Sequence, residues 1–311
     1  MSKRVLLFSH EFPPAVGGAG TVAQDVSHIL SKINNYHITV MCNHIEGRRK
    51  SKDYKIIEVK SLPKLRPLFY WNKLKHLDLD GFYSIIINDI GAALVAAYFF
   101  PVELQRKCTV FLHGSEPEEI FQNNIFPYFN FKRKYIDLLK NCKNIIAVSN
   151  FMKEKFMKIT KLDYLNDKIC IVYNGIDTNF FFPNKINLYK RYNISPDKTL
   201  LLTVSRIVKG KGFDRMYNLF KVVAKKYNYH WLIIGAGDYL SELMLKVKND
   251  GMVKFITFVG KVERNELKEY YSSADLFWLL SDLNESFGLV YLEANACGIP
   301  VLANNRAGTQ E

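Results

Sequence analysis

Short apolar runs rich in β-branched residues recur along the chain, and stretches with apolar residues at helical spacing lie between them. RVLLFS (4–9), HITVM (37–41), SIIIN (84–88), CTVFLH (108–113), NIIAVS (144–149) and KICIVY (168–173) read as buried strands of a first sheet. TVAQDVSHILSKI (21–33) and NFMKEKFMKIT (150–160) are amphipathic and read as helices between them. Strand and helix in alternation imply parallel strands with crossover helices. The alternation pauses at the turn-rich NGIDTNFFFPNKINLYKRYNIS (174–195). It resumes with TLLLTVS (199–205), WLIIGAG (231–237), KFITFVG (254–260), ADLFWLL (274–280) and IPVLAN (299–304). The expected fold class is therefore α/β, with two doubly wound, Rossmann-like domains over residues 1–185 and 186–311.

Composition agrees with two cores. The chain has 311 residues, 48% of them hydrophobic and 23% charged, which is long for one core and apolar enough for two. GAALVAAYFFPV (91–102) is too short to span a bilayer, and the N-terminus turns polar too soon for a secretory signal, so a cytoplasmic protein is expected. Five cysteines, an odd number without C-x-x-C spacing, fit reduced thiols rather than a disulfide frame or a zinc site. The net charge of +13 is uneven: residues 1–185 carry 26 Lys and Arg against 17 Asp and Glu, and residues 186–311 carry 17 against 13. An anionic partner of the first half follows, whether membrane headgroups, nucleic acid or an acidic substrate, although solvated lysines account equally well for any single cluster. No recognition helix or RNA-binding signature accompanies the charge, so nucleic acid is not expected.

Ligands of doubly wound sheets bind beyond the carboxyl ends of the strands. There the first domain places HEFPPAVGGAGTV (10–22), whose Gly17, Gly18 and Gly20 allow close backbone approach before a helix N-terminus that attracts anions. A glycine-rich turn needs no ligand, so this loop alone leaves both readings open. His113, at the tip of CTVFLH, is by itself more readily a structural histidine than a catalytic one. In the second domain Arg206 follows a strand and Lys211 comes five residues later, with Gly210 and Gly212 opening the next helix. Two fixed cations there suit a phosphate. WLIIGAGDYL fails as a dinucleotide fingerprint, because Leu240 stands where a third glycine is required. Gly235 and Gly237 still permit close approach to a nucleobase or ribose.

SDLNESFGLVYLEANACGIPVLA (281–303) holds two acids eight residues apart, Glu285 and Glu293. A helix starting near Ser286, a good N-cap type, places Glu285 before it and Glu293 two turns in, about 12 Å along the axis. That is wider than the roughly 5 to 9.5 Å between the paired acids of a glycosidase, and too wide for one metal ion. It suits the two hydroxyl-bearing ends of an extended ligand, with a diphosphate between them on the amides of Phe287, Gly288 and Leu289. The pair alone reads more readily as two surface glutamates, one of them stabilising the helix N-terminus.

The pair does not stand alone. ESFGLVYLEANACGIPVLA resembles the E-x7-E segment of the retaining GT-B glycosyltransferases of family four. The resemblance continues in FPPAVGGAGTV, FLHGSE, IIAVSNFMKEKF, IVYNGID, LLTVSRIVKGKG, IIGAGD and FVGKVERNELKEYYSSADLFWLLS, in the family's order over essentially the whole chain. It implies two Rossmann-like domains facing a cleft, the first taking the acceptor and the second the sugar nucleotide. It also implies transfer of a sugar from a nucleotide-diphosphate-sugar with retention and without a metal or other cofactor.

By the same resemblance Glu285 holds hydroxyls of the transferred sugar and Glu293 those of the ribose. Arg206 and Lys211 neutralise the diphosphate with Ser286, Phe287, Gly288 and Leu289 beside it, and Gly17 and Gly18 face it from the first domain. Gly235 and Val259 contact the base, and His113 lies near the anomeric centre or the 6-position. Glu285-Ser286-Phe287-Gly288 stands where members usually have Glu-Gly-Phe-Gly, and Arg306-Ala307-Gly308 where a Gly-Gly pair is common. The chain ends at Glu311, before the last strands and closing helices of members, so the second domain is expected to be incomplete. LPKLRPLFYWNKLKHL (62–77) and FPYFNFKRKYI (126–136) interleave basic and aromatic residues. They suit an anionic membrane surface and a lipid-linked or lipopolysaccharide-like acceptor on its inner face, or equally a core covered by lysines. A soluble saccharide acceptor and an inactive sugar-nucleotide-binding module are the alternatives.

Overall fold

In a computed structural model that describes residues 2–311 except 16, 49, 63–64, 124–129 and 225, every run read above as a strand forms one. Runs of branched side chains without polar alternation are stable only where both faces of a sheet are covered. In the first unit, residues 1–174, the strands are β1 (Lys3–Phe8), β2 (Tyr36–Asn43), β3 (Lys55–Val59), β4 (Ser84–Ile87), β5 (Cys108–Leu112), β6 (Asn144–Ala147) and β7 (Ile169–Ile171). They pair in parallel in the order β3-β2-β1-β4-β5-β6-β7. The helices are α1 (Gly18–Ser31), α2 (Arg66–Leu74), α3 (Ile90–Phe99), α4 (Val102–Gln105), α5 (Phe131–Asn141) and α6 (Asn150–Thr160).

The apolar run 91–102 supplies most of α3, ten residues long and capped by Asp89, whose Oδ1 accepts from the Ala92 amide at 2.8 Å. It is apolar all round because α2 and α5 pack against it as well as the sheet. Trp71 stacks on Phe99 (ring centroids 5.4 Å apart) and Tyr98 on Phe131 (6.2 Å), so the two basic-aromatic segments flank one helix. Residues 63–64 and 126–129 of those segments lie outside the described residues. No helix among the described residues is long and apolar enough to cross a membrane.

The second unit, Gly175–Glu311, holds β8 (Thr199–Val204), β9 (Tyr229–Ile234), β10 (Ile256–Gly260), β11 (Leu276–Leu279) and β12 (Val301–Ala303). Their parallel order is β10-β9-β8-β11-β12. Around them lie α7 (Leu188–Arg191), α8 (Phe213–Val223), α9 (Leu240–Asn249), α10 (Arg264–Ser273) and α11 (Leu289–Ala296). Trp231 and Trp278 meet at 4.8 Å in its core, and Trp231 Nε1 donates to Thr203 Oγ1 at 3.0 Å.

The division falls at Asn174/Gly175 rather than the expected 185. The connecting segment packs on the second core: Phe181 is fully covered and meets Tyr271 edge-on. The Asn184 and Ile186 amides donate to Ser272 and Ser273 Oγ, each at 2.8 Å. In each sheet the chain reverses direction of winding beside its first strand, between β1 and β4 and between β8 and β11. Loops leaving such a pair diverge and leave a crevice at the strand tips.

Candidate functional site

At the β8/β11 reversal two loops meet. The Gly210 carbonyl, after β8, accepts from the amides of Asp282 and Leu283, after β11, at 2.8 and 3.0 Å. From the other side the tail after β12 holds the second loop: Asn304 Nδ2 donates to Ser281 O at 2.5 Å, Arg306 to Asn284 Oδ1 at 2.6 Å, and the Gly308 amide to Glu285 O at 2.9 Å. Between these anchors Lys211 Nζ lies 2.6 Å from Glu285 Oε1, with only 13% and 18% of the two side chains exposed. The exposed Arg206 leaves the tip of β8, and its guanidinium has no ion-pair partner among the described residues.

The helix α11 begins at Leu289, not near Ser286, and Gly288 is its N-cap with φ +90° and no side-chain capping bond. The left-handed turn at Gly288 ends the loop, and the Tyr291 ring fills the space a Cβ would take there. The N-cap position thus belongs to Gly288 and not to Ser286, and Glu285 sits in a loop rather than at a helix start, so the helical rise does not measure its distance from Glu293. Glu293 is 5% exposed on α11, and its Oε2 accepts from Tyr271 Oη at 2.8 Å. Burial and that carboxylate raise the Tyr271 phenol, which keeps it a donor. Burial, with Glu285 nearby, likewise raises Tyr291, which donates to Leu279 O at 3.0 Å.

Gly235 and Val259 also meet at the strand tips. The Gly235 amide donates to Gly260 O at 2.8 Å, and the β9–β10 register shifts between Phe258 and Gly260, so Val259 is a bulge. A Cβ on Gly235 would overlap the Ser205 carbonyl oxygen, and one on Gly237 the Ile207 carbonyl oxygen. The packing of β9 on β8 thus accounts for both glycines.

In the first unit the tips of β1, β4 and β5 carry one polar network. Asn88 Nδ2 donates to Ser9 Oγ and to Ala19 O, each at 3.0 Å, and Asn88 Oδ1 lies 3.1 Å from His113 Nε2. Asp89 accepts from Ser9 Oγ at 2.9 Å and from the Glu11 amide at 2.8 Å. The buried Glu116 carboxylate accepts from the His113 and Gly114 amides at 2.8 and 2.6 Å and so fixes the turn after β5. Burial raises Glu116, while those amides and Lys155 oppose the shift. Burial pushes His113 down to about 4 against the pull of Asp89, which leaves the ring neutral at physiological pH.

Ahead of α1, Arg48 donates to Pro13 O at 2.7 Å and Phe12 O at 3.1 Å and pairs with Glu58, tying the proline turn to β3. Gly17 is packed under the Glu11 carboxyl, and Gly18 has open space where a Cβ would be.

The structure thus gathers Arg206, Lys211 and Glu285 at one reversal, with Gly235 and Val259 on neighbouring tips, Ser286–Gly288 in the loop before α11, Leu289 at the start of that helix and Glu293 on it. Gly17, Gly18 and His113 lie at the tips of the other unit. Sequence reasoning missed Tyr271, Ser9, Glu116 and the role of Asn88 and Asp89. The signal for the last two was a polar pair directly after an all-apolar strand. Among the described residues no three His, Cys, Asp or Glu side chains are grouped as a metal site requires.

Comparison with known proteins identifies the family. Residues 184–311 match the family model described as glycosyl transferases group 1, and residues 16–180 that of glycosyltransferase family 4. An uncharacterized glycosyltransferase of Methanocaldococcus jannaschii is 30% identical over 186 residues, 57% of this chain and 46% of that protein. A GDP-mannose-dependent α-(1-6)-phosphatidylinositol monomannoside mannosyltransferase of Mycobacterium tuberculosis is 31% identical over 181 residues, 54% of this chain and 45% of that one. The matched stretch thus spans about half the length of these relatives. Among solved structures, Alr3699/HepE of Anabaena in complex with UDP and glucose superposes with a TM-score of 0.73 at 18% identity, over 98% of this chain and 82% of that one. Since the second of the two family matches covers more than half of the sequence and the first takes up most of the rest, the chain belongs to glycosyltransferase family 4.

Proposed function

We propose that this protein transfers a sugar from a nucleotide-diphosphate-sugar to an acceptor, with retention at the anomeric carbon and without a divalent metal. The observation that carries the reading is the Lys211–Glu285 pair at the β8/β11 reversal, beside the exposed Arg206 and a helix whose N-cap is a glycine. Cations and amide dipoles fixed before the reaction stabilise a leaving diphosphate as its charge develops. Glu285 holds Lys211 in place and presents its carboxylate to sugar hydroxyls. In this reading Glu293, which accepts from Tyr271, takes the ribose hydroxyls. Departure of the diphosphate and attack of the acceptor on the same face retain configuration, with a phosphate oxygen as the base.

The test is a melting panel with UDP, GDP and ADP, followed by transfer assays with the matching sugar nucleotides. One diphosphate should stabilise the second unit increasingly with concentration, by about 2.7 kcal/mol at a hundredfold excess over its dissociation constant. No stabilisation by any of the three sinks the proposal.

The acceptor we propose is a lipid-linked saccharide at an anionic membrane face, in synthesis of a cell-surface polysaccharide or lipopolysaccharide. Leu65, the N-cap of α2, and Leu68 and Phe69 on that helix are 47%, 53% and 40% exposed, beside exposed Lys73 and Lys75. Across α3, α5 presents the exposed Lys132, Arg133 and Lys134. An apolar edge with flanking cations suits a headgroup layer, and the mycobacterial relative is named for a phosphatidylinositol glycolipid. The chain should sediment with phosphatidylglycerol-containing vesicles at low salt, and Leu68→Asp with Phe69→Asp should abolish this. Wild type that stays in the supernatant refutes the membrane reading and leaves a soluble acceptor.

A further inference from the structure

We infer that His10, Arg66 and Tyr70 form an oxyanion site on the first unit that takes the phosphate of a phosphorylated ligand. The site stands on the first unit alone; only the assignment of that phosphate to a lipid-linked acceptor rests on the proposed function.

Arg66 and Tyr70 are one turn apart on α2, and side chains four residues apart share a face of a helix and lean toward its N-terminus. Tyr70 is 1% exposed, and its ring meets that of His10, just past β1, with centroids 6.1 Å apart. The first turn of α3 leaves room for this histidine: a Cβ on Gly91 would come 2.7 Å from the His10 Cβ. Three buried polar atoms of the group, Tyr70 Oη, Arg66 Nε and His10 Nε2, have no hydrogen-bond partner among the described residues. Each such atom costs stability, and three on neighbouring side chains mark a place built for a ligand that bonds to them. His10 and Arg66 are half-buried, so the group opens to solvent on their side. Burial raises the Tyr70 phenol, with Asp89 and Cys42 adding to the shift, so Oη keeps its proton. Burial lowers His10, Asp89 opposing and Arg66 adding to the shift, so the ring is neutral and can present its one proton on Nε2. The group thus offers three donors, one of them on a cation. The acids nearby are already engaged. Asp89 accepts from the Ala92 and Glu11 amides and from Ser9 Oγ, and Glu58 pairs with Arg48 and His44. Arg66 pairs with no acid among the described residues, so its charge is the one in this group left to balance. An oxyanion satisfies donors and charge together, which a neutral hydroxyl does not. Phosphate is the oxyanion favoured, because α2 also carries the exposed Leu68 and Phe69 that we place against a headgroup layer, where phosphate is the anion at hand.

The experiment titrates the full chain, uniformly 15N-labelled, with inorganic phosphate and no sugar nucleotide, chloride holding the ionic strength constant. The readout is the long-range 1H–15N correlation of the His10 ring, assigned with His10→Asn. Phosphate should shift Nε2 along a saturating curve and leave it protonated. Arg66→Gln and Tyr70→Phe should each raise the midpoint at least about tenfold, the loss of one hydrogen bond to a charged group. Tyr70→Phe removes only a hydroxyl without a partner, so it should melt as wild type does in chloride and keeps the test open should Arg66→Gln not fold. A His10 ring that ignores phosphate up to the millimolar range, or a midpoint that a folded variant leaves unchanged, overturns the site. A second arm finds the source of the phosphate by sedimentation with phosphatidylglycerol vesicles at the same ionic strength. Sedimentation that falls as phosphate is added, and falls in Tyr70→Phe, assigns the site to a lipid headgroup. Sedimentation indifferent to both, or none, beside a responding His10 assigns it to a free phosphorylated compound; either result supports the site. With no donor present, a chain that transfers no sugar leaves this result standing, and a silent His10 leaves the transfer standing.

Discussion

Lys211→Ala is expected to lower sugar-transfer turnover by about 100-fold or more, the loss typical of one preorganised donor at a developing charge. The side chain is mostly covered, and its ammonium sits 2.6 Å from Glu285, so its position is set before any ligand arrives. A cation held in this way needs little reorganisation when the diphosphate departs, whereas a lysine in solvent must be ordered at that moment. Loss of Lys211 also leaves Glu285 unpaired at a largely covered place, where an uncompensated carboxylate is costly. Lys211→Met keeps the stem and separates loss of charge from loss of packing.

Arg206→Ala should cost a similar factor, since its guanidinium contributes charge at the same strand tip. The double variant should fall well short of the product of the two losses if both cations act on one leaving group. The measurement is product formation with the sugar nucleotide identified by melting. Turnover within a few-fold of wild type in both single variants, with an unchanged melting profile, would overturn the assignment of the site.

Physical reasons separate what could be read along the chain from what could not. Strands such as SIIIN and WLIIGAG declare themselves because uninterrupted branched residues need cover on both faces. KIIEV (β3) escaped because charges interrupt and flank it, and its burial alternates as at the margin of a sheet, where β3 stands. Positions at strand tips were legible because topology sends the chain there whatever the loops do.

The start of α11 was not legible. Ser286 has the composition of a cap, but Gly308 docks on the Ser286 carbonyl and Gly288 takes the left-handed turn, so tertiary contacts override the local preference. Tyr271 and Glu293, or Asn88 and His113, are joined only through space, and no local pattern marks such pairs. The packing of the connecting segment was hidden for the same reason. Phe181 looks like linker in the sequence and is core in the fold.

Gly235→Ala is expected to destabilise the second unit by about 3 kcal/mol or more, a midpoint loss on the order of 10 °C. Gly235 has φ +142°, a conformation that any Cβ strains, and the added carbon would overlap the Ser205 carbonyl oxygen. That oxygen belongs to backbone, so no rotamer change relieves the overlap. Nor can the tip of β8 move alone. The Ser205 amide is bonded to Ile234 O at 3.1 Å, the Ile207 amide to Ala236 O at 2.9 Å, and the Tyr239 amide to Ile207 O at 3.1 Å. Displacing Ser205 therefore strains three bonds and shifts Arg206 with them. Fluorescence follows the transition, because Trp231 and Trp278 both lie in this unit's core. Gly18→Ala is the contrast: a Cβ there meets nothing within 4 Å, so its melting should match wild type, and any rise in donor KM reports contact with a ligand. A Gly235→Ala protein melting within about 2 °C of wild type would show that β9 does not need glycine to pack on β8, and the glycine would then belong to ligand approach instead.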